Sequence, residues 1–568
     1  MSEEKKILHS TDALKANLSS RDRGEKLLAI RAMSILRKPE YADSLVDVLS
    51  SPDAEVIDST ISALGQIQNP NSLKYLIPFL FDDNTERSET AWNAISKFNL
   101  KPVIPSILKA ATSDKPPATR KMLLSLLAKV NDMRVASAMN EVLGQTRDIP
   151  LLCEALEYFI RFPAVDKASV FKVLSASEQW EVAMYADLAL SRTGDDSARP
   201  RLKKLAKSPA YQMRLALAKG MNITAMVQDR EIYEILIRDT HPPVRIAAFQ
   251  GFSVFSASER QPLILELLEK EKDEKIRHRL YEIASIEKSP IFFQEFIKLL
   301  SSQSLKLKNL AQKALILMGK SIVSQIVAAF SSMPLEMKER VLLILGEIGC
   351  EKGLHLLISG LSSKERWLRI NSIDGIARIK EKKFAVRFAE MASTESDPWI
   401  LATLMSALVK IGSEKELEIA KNFLGHPDGR VRANAVAAVS KIDSPEVPKL
   451  LEPLVNDGND RVRVNASVAL WKIGEVKVLD RIVHTLKDSS KWRRSSAAYA
   501  LGEIGDREPV PALLEMLVDK EDVVYRNTIE ALGKIKDPRS VIPLLIEREK
   551  KRVPQDVIDS VLKSFNDN

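Results

Sequence analysis

The sequence predicts an all-α fold: an α-solenoid (superhelix) of about eighteen two-helix repeats of roughly 31 residues each. Three observations carry this. A short phrase recurs at a nearly fixed interval, each interval holds two apolar stripes of helical period, and small residues recur where neighbouring helices must approach closely.

The phrase reads ILGEIG (344–349), GIARIK (375–380), ALVKIG (407–412), AVSKID (438–443), ALWKIG (469–474), ALGEIG (500–505) and ALGKIK (531–536). Its isoleucines, Ile348, Ile379, Ile411, Ile442, Ile473, Ile504 and Ile535, step by 31, 32, 31, 31, 31 and 31 residues. A looser ladder runs back through Met318, Ile286, Phe255, Ile223, Thr193, Phe159, Val130, Phe98, Ile67 and Leu36, and forward to Phe565. One helix pair cannot bury both its faces, and stacking pairs makes the core continuous. A single solenoid is therefore expected over 1–568, with divergent repeats in 1–334, regular repeats in 335–548 and a C-terminal capping helix in 549–568.

Within a unit such as 447–474, Val447, Leu450, Leu451 and Leu454 form the stripe of a first helix. VNDGND (455–460) is the turn, and Val462, Ala466, Ala469, Leu470 and Ile473 form the stripe of a second helix. Gly474 is placed to stop it in the left-handed region, as are Gly349, Gly412 and Gly505. Pro448, Pro511 and Pro543 fall in the first turn of first helices, where a missing N–H costs little. Leu451, Ile482, Leu513 and Leu544 keep the first-helix register, while Ala466, Ala469, Ala497, Ala500, Gly502 and Gly533 admit close neighbours. The stretch 100–240, with KPVIP, DKPPA and RFPAVD, breaks the pattern and reads as either a hinge or a specialised site.

Composition agrees. The chain is 45% hydrophobic and 28% charged, with 20 glycines in 568 residues, which argues against a disordered chain and against a turn-rich β fold. The N-terminal MSEEKKILHS lacks the apolar core of a signal peptide, and no apolar run suggests a membrane-spanning helix. The two cysteines, Cys153 and Cys350, form no paired framework, so a reduced, cytoplasmic setting is expected, with each cysteine a small buried hydrophobe. The net charge of +8 is mild, but residues 301–500 hold 31 Lys/Arg against 22 Asp/Glu, so the excess is concentrated there.

The repeat phrases DGRVRANAVAAVSKID (428–443), DRVRVNASVALWKIG (460–474) and HPPVRIAAF (241–249) resemble the HEAT-repeat superfamily, in particular the short bacterial and archaeal HEAT-like repeats first described in phycobilin lyases. The resemblance is strong over 335–548 and degenerate over 70–330. It implies an extended concave surface that binds other proteins, with lyase or isomerase chemistry as a minor alternative by analogy with the phycobilin lyases. HEAT-like hydroxylases carry repeated His-Glu pairs, and none of His9, His241, His278, His355, His426 or His484 is followed by glutamate. The catalytic residues of HEAT-like DNA glycosylases do not map onto this chain. No phosphate loop, dinucleotide fingerprint or nucleophile elbow is present in the sequence. The reading is of no enzyme, with no catalytic residue, no metal and no cofactor.

One surface pattern remains. Twelve residues before each rung stand Trp367, Trp399, Arg430, Arg461, Trp492 and Val523. Two residues later stand Arg369, Leu401, Arg432, Arg463, Arg494 and Tyr525, with Lys308 and Lys338 in earlier units. Lys491 and Arg493 thicken the row. As a functional site, this stripe of Trp367, Arg369, Trp399, Arg430, Arg432, Arg461, Arg463, Trp492 and Arg494 binds one or more proteins, for example through an acidic segment. The alternative partner is nucleic acid, with phosphates on the cations and bases on the indoles. As structure, the second column ties repeats together through Asp397, Asp428, Asp460 and Asp522. A third column, Asn371, Thr403, Asn434, Asn465, Ser496 and Asn527, bonds the backbone of the adjacent helix or, by analogy with the Trp-x-x-x-Asn array of armadillo receptors that Trp367 and Asn371 resemble, clamps a peptide.

Overall fold

The computed structural model describes residues 11–111 and 117–565. Helix pairs follow one another from Thr11–Leu18 with Arg23–Leu36 to Val541–Lys550 with Gln555–Ser564, eighteen pairs among the described residues, and no strand occurs among them. The chain is an all-α solenoid of two-helix repeats. Its internal contacts gather into two compact units, Ser10–Leu280 and one comprising Tyr281–Asn568.

Both units are built by the same rule: second helices pack on second helices. In the first unit, Arg23–Leu36, Ala54–Ile67 and Thr85–Ile95 lie side by side in chain order. In the second, the row is Leu335–Ile348, Arg366–Ile379, Pro398–Ile411, Gly429–Val439, Asp460–Lys472, Lys491–Ile504 and Asp522–Ile535. Gln555–Ser564 closes the described part of this row against Asp522–Ile535 and Val541–Lys550.

Several second helices have a capped start. Asp22, Asp53, Asn84, Asp148, Asp397, Asp428 and Asn459 cap them, each side chain accepting a backbone N–H of the first turn. Such a cap satisfies donors that have no partner inside the helix. The deepest positions lie three residues before each rung, where Leu345, Ile376, Leu408, Val439, Leu470, Leu501 and Leu532 are buried. The first-helix register residues Leu451, Ile482, Leu513 and Leu544 are buried as well.

The stops are partly as expected. Gly349, Gly474 and Gly505 are left-handed at φ 64°, 95° and 77°. Gly412 is not: its φ of −73° and ψ of 148° are extended, and the chain leaves that helix directly into the Ser413 capping box. Elsewhere lysine takes the left-handed site, as Lys380 and Lys536 do. One rung shifts by a residue. Ile286 is 73% exposed, and the left-handed residue that marks the stop is Lys288, so Glu287 occupies the register position. The apolar stretch 305–330 has the length and composition of a membrane span, but it is broken at Gly319 (φ 62°) into the helices Leu305–Met318 and Val323–Phe330. Cys153 and Cys350 are both free and only half-buried.

In the stretch that breaks the sequence pattern, KPVIP forms a 3-10 turn at Lys101–Val103 running into Ile104–Ala111, and RFPAVD leads from Ile149–Arg161 into the turn Val165–Lys167. Residues 114–116 of DKPPA lie outside the described residues. This region is internally tied by a buried pair, Arg192 Nη1 to Asp229 Oδ2 at 2.7 Å, each side chain 1% exposed.

Close approach is literal where the sequence is smallest. A Cβ built on Gly502 would stand 2.7 Å from Ala531 Cα, and one on Gly346 would stand 2.5 Å from Gly375 Cα. Backbone cannot yield as a flexible side-chain end can. We expect Gly502→Val to lower stability by about 1–3 kcal/mol through overpacking. Gly425→Ala, where an added Cβ meets nothing within 4 Å, should leave it nearly unchanged. Urea denaturation midpoints of the two variants check this.

Candidate functional site

Stacking of second helices turns one-per-repeat sequence columns into rows. The second column is a set of links between repeats. Arg432 donates to Asp457 through Nε at 2.8 Å and Nη2 at 2.7 Å, and its Nη1 donates to the carbonyl of His426 at 2.6 Å. Arg494 meets Asp519 at 2.7 and 3.1 Å and the carbonyl of Asp488 at 2.9 Å. Arg369 pairs with Glu395. The first unit repeats the arrangement with Arg214 on Asp239 and Arg245 on Glu271.

The acids differ from those expected. Asp397 and Asp428 are helix caps, paired with Arg366 and Arg430 of the first column or its neighbour, and Asp522 pairs with Arg552. Of the four, only Asp460 meets a second-column arginine, Arg463, at 2.5 Å. The linking acid instead stands two residues before the cap of the next second helix. There it also accepts a backbone N–H of the turn: Asn459 N on Asp457, Glu521 N on Asp519, Asp397 N on Glu395. The signal for this was present in the sequence as an acid 25 or 26 residues after each arginine.

Other members of the column fit the same geometry with different chemistry. Leu401 and Tyr525 are buried. Tyr525 donates its hydroxyl to Glu547 at 3.0 Å, and Arg552 stacks over its ring at 4.3 Å. Lys308 pairs with Glu336, and Lys338 lies over the Phe330 ring.

The asparagine column is also internal. Asn371 Nδ2 donates to the Glu339 carbonyl at 2.9 Å, Asn434 to Ala402 at 2.6 Å, Asn465 to Ala433 at 2.8 Å and Asn527 to Ser495 at 3.3 Å. Each bond crosses to the preceding second helix. Thr403 and Ser496 turn back onto their own helices instead.

The first column faces outward. Trp367, Trp399 and Trp492 are 47%, 43% and 51% exposed, whereas Trp92, Trp180 and Trp471 are partly buried. Trp367 and Trp399 meet edge to face with centroids 5.7 Å apart, and the Arg430 guanidinium lies 3.7 Å over the Trp399 ring. Three successive repeats thus share one stack. Arg461 continues the row, donating to Asn434 Oδ1 at 2.9 Å, and Lys491 sits over Trp492 while pairing with Glu521. Indoles held this way lose little freedom on binding, which is what makes tryptophan an effective interface anchor.

The structure also shows a row that sequence reasoning missed. At the far end of the same second helices, one residue before each rung, stand Arg378, Lys410, Lys441 and Lys472 in four consecutive repeats. Arg378 and Lys410 share Asp374, and Lys441 donates to the Val409 carbonyl at 3.0 Å. Lys472 lines a hollow of about 300 Å³ with Ala437, Val464, Asn465, Val468 and Tyr499. The alternation of this position with rung isoleucines was legible, but it was hidden among ordinary helix-end lysines.

Perturbed side chains also occur in the first unit. Burial pushes Glu154 up to about 7 and the Cys153 thiol up to about 11, away from an activated thiolate. Among the described residues, no three His, Cys, Asp or Glu side chains group as a metal site.

The family model for HEAT repeats matches residues 385–471, 417–501, 447–528 and 479–564, so this part of the chain is similar to HEAT repeats. No curated protein matches it. Among solved structures, YibA of Escherichia coli is 22% identical, covering 47% of this chain and 98% of its own, with a TM-score of 0.32. Kap95p, solved with RanGDP, is 13% identical over 99% of this chain and 87% of its own, with a TM-score of 0.36. The complex of CpcE and CpcF of phycocyanin lyase from a Nostoc species is 16% identical over 49% and 94%, with a TM-score of 0.25.

The linking carboxyls govern acid stability. Burial pushes Asp457 and Asp519 up, and their arginines and turn N–H donors outweigh it, so each titrates below its ordinary value. A depressed carboxyl contributes stability that is complete above the unfolded value, about 4 for Asp, and is lost as pH falls through the folded one. Arg432→Met strands a buried carboxylate, and we expect a loss of about 3 kcal/mol at neutral pH. In this variant the stability contributed by Asp457 should also decay from a higher pH than in wild type. Denaturant titrations at stepped pH read both effects.

Proposed function

We propose that the protein is a non-enzymatic interaction scaffold whose partner is a protein, held along the outward-facing first column of the second unit. The carrying observation is the division of labour between columns. Second-column arginines are consumed by links between repeats, while three of the six tryptophans stand exposed in one row. A row rich in exposed indole and poor in uncommitted cation suits a protein surface better than a phosphate backbone. Phosphate binding draws its affinity from released counterions, hence from many unpaired cations. Here Arg366, Arg430, Lys491 and Arg493 are all paired with carboxylates of the same protein, and Arg461 donates to the Asn434 amide oxygen instead.

The test is recovery of partners on the tagged full chain from native lysate, with and without nuclease, followed by mass spectrometry. A defined protein that survives nuclease, and that is lost with the exposed-site variants Trp367→Ala and Trp399→Ala, supports the scaffold. Recovery dominated by nucleic acid, or proteins that vanish with nuclease, would overturn it. Binding should weaken only modestly between low and physiological salt, whereas phosphate binding would collapse by orders of magnitude.

A further inference from the structure

On the face of the second helices that carries the two rows, three cations have no ion pair among the described residues. Arg461 bonds only the Asn434 side chain through Nη2, and Lys441 bonds only a backbone carbonyl. Lys472 is exposed at the rim of the hollow. None of the three has an ion pair among the described residues, although most neighbouring Arg and Lys side chains do. The floor between them is partly apolar, with Ala437, Val464 and Val468; the amides of Asn434 and Asn465 are engaged with adjacent helices, and Glu503, which also lines the hollow, is paired with Lys534. One end of this face is the Trp367–Trp399–Arg430 stack.

We infer that this face holds an extended segment of a protein partner bearing an apolar anchor at the Trp367–Trp399 end and carboxylates toward Lys441, Arg461 and Lys472. The inference rests on the scaffold reading above and names the partner's chemistry. Charge complementarity selects the occupant: three cations without an ion pair, over a floor whose carboxylate Glu503 is already held by Lys534, favour anions, and the indole pair favours an apolar side chain beside them. Spacing makes it specific. Adjacent helices lie roughly 8–10 Å apart, and an extended chain advances about 3.3 Å per residue. Carboxylates about three residues apart in the partner therefore meet Lys441 and Lys472, which stand at the C-terminal ends of successive second helices, while Arg461 stands near the start of the helix that Lys472 ends.

Random dodecamer peptides displayed on phage and selected on the immobilised full chain test this. The expected outcome is enrichment of peptides with a bulky apolar residue and acids at three-residue intervals beyond it. By fluorescence anisotropy, a labelled winner should bind Lys441→Glu/Lys472→Glu and Trp399→Ala each at least about tenfold more weakly than wild type, a change of about 1.4 kcal/mol. Because these side chains are exposed, thermal melts should be unaltered. The double charge reversal should instead accept the same peptide with its acids replaced by lysine. Winners without acids, equal binding to the double variant, or no enrichment would each overturn the inference. If non-acidic winners compete with the lysate partner, the scaffold reading survives alone. If only a short oligothymidylate binds, both fall.

Discussion

The structure depends on second helices lying flush against one another. A helix pair of this size cannot bury both of its faces, so each second helix must find its core in its neighbours. Flush packing needs positions without bulk, and these are Gly346 against Gly375, Gly65 against Ala94 and Gly502 against Ala531. Once those contacts set the spacing, every residue at a given register meets its counterpart in the next repeat. A periodic sequence then becomes a set of parallel rows. The arginine links, the asparagine bonds and the exposed indoles are three such rows on one scaffold.

The links show how a local turn and a long-range contact are made by one group. Asp457 and Asp519 each accept a backbone N–H in the turn before their own helix and a bidentate arginine from the repeat before it. The same carboxylate therefore orders the turn and fixes the stacking. A planar guanidinium matches that geometry in a way an ammonium does not. Where the arginine is replaced by Tyr525, the chain restores a cation from the following turn, Arg552, which pairs with Asp522 and covers the ring. At that position the array keeps a polar tie although the residue has changed, whereas at Leu401 packing alone fills the place.

This separates what the sequence made legible from what it hid. Fold and register were readable because the isoleucine ladder repeats a requirement of packing, and the structure ends its second helices at Ile348, Ile379, Ile411, Ile504 and Ile535. The shift at Ile286 was hidden because an exposed apolar residue beside a glutamate mimics a rung. The stop at Gly412 was misread because glycine permits a left-handed turn without requiring one. The choice of linking acid was ambiguous because caps and links are both carboxylates in the same turn, and only the three-dimensional reach of Arg432 distinguishes Asp428 from Asp457.

The candidate surface is less basic than its stretch of sequence. Residues 301–500 suggest an anion-binding face, but many of their cations, Arg369, Lys410, Arg432 and Arg494 among them, are already paired with carboxylates of neighbouring repeats. Charge counted along a chain overstates the field outside a protein whose ion pairs are internal. Along the row of second helices Arg461, Lys441 and Lys472 carry no ion pair among the described residues, beside indoles that packing has left in solvent. Lys441 and Lys472 stand at the C-terminal ends of successive second helices, so they are set at the pitch of the helices rather than the pitch of phosphates. Under the proposed reading, the repeat spacing that builds the core is also the ruler with which this face measures its ligand.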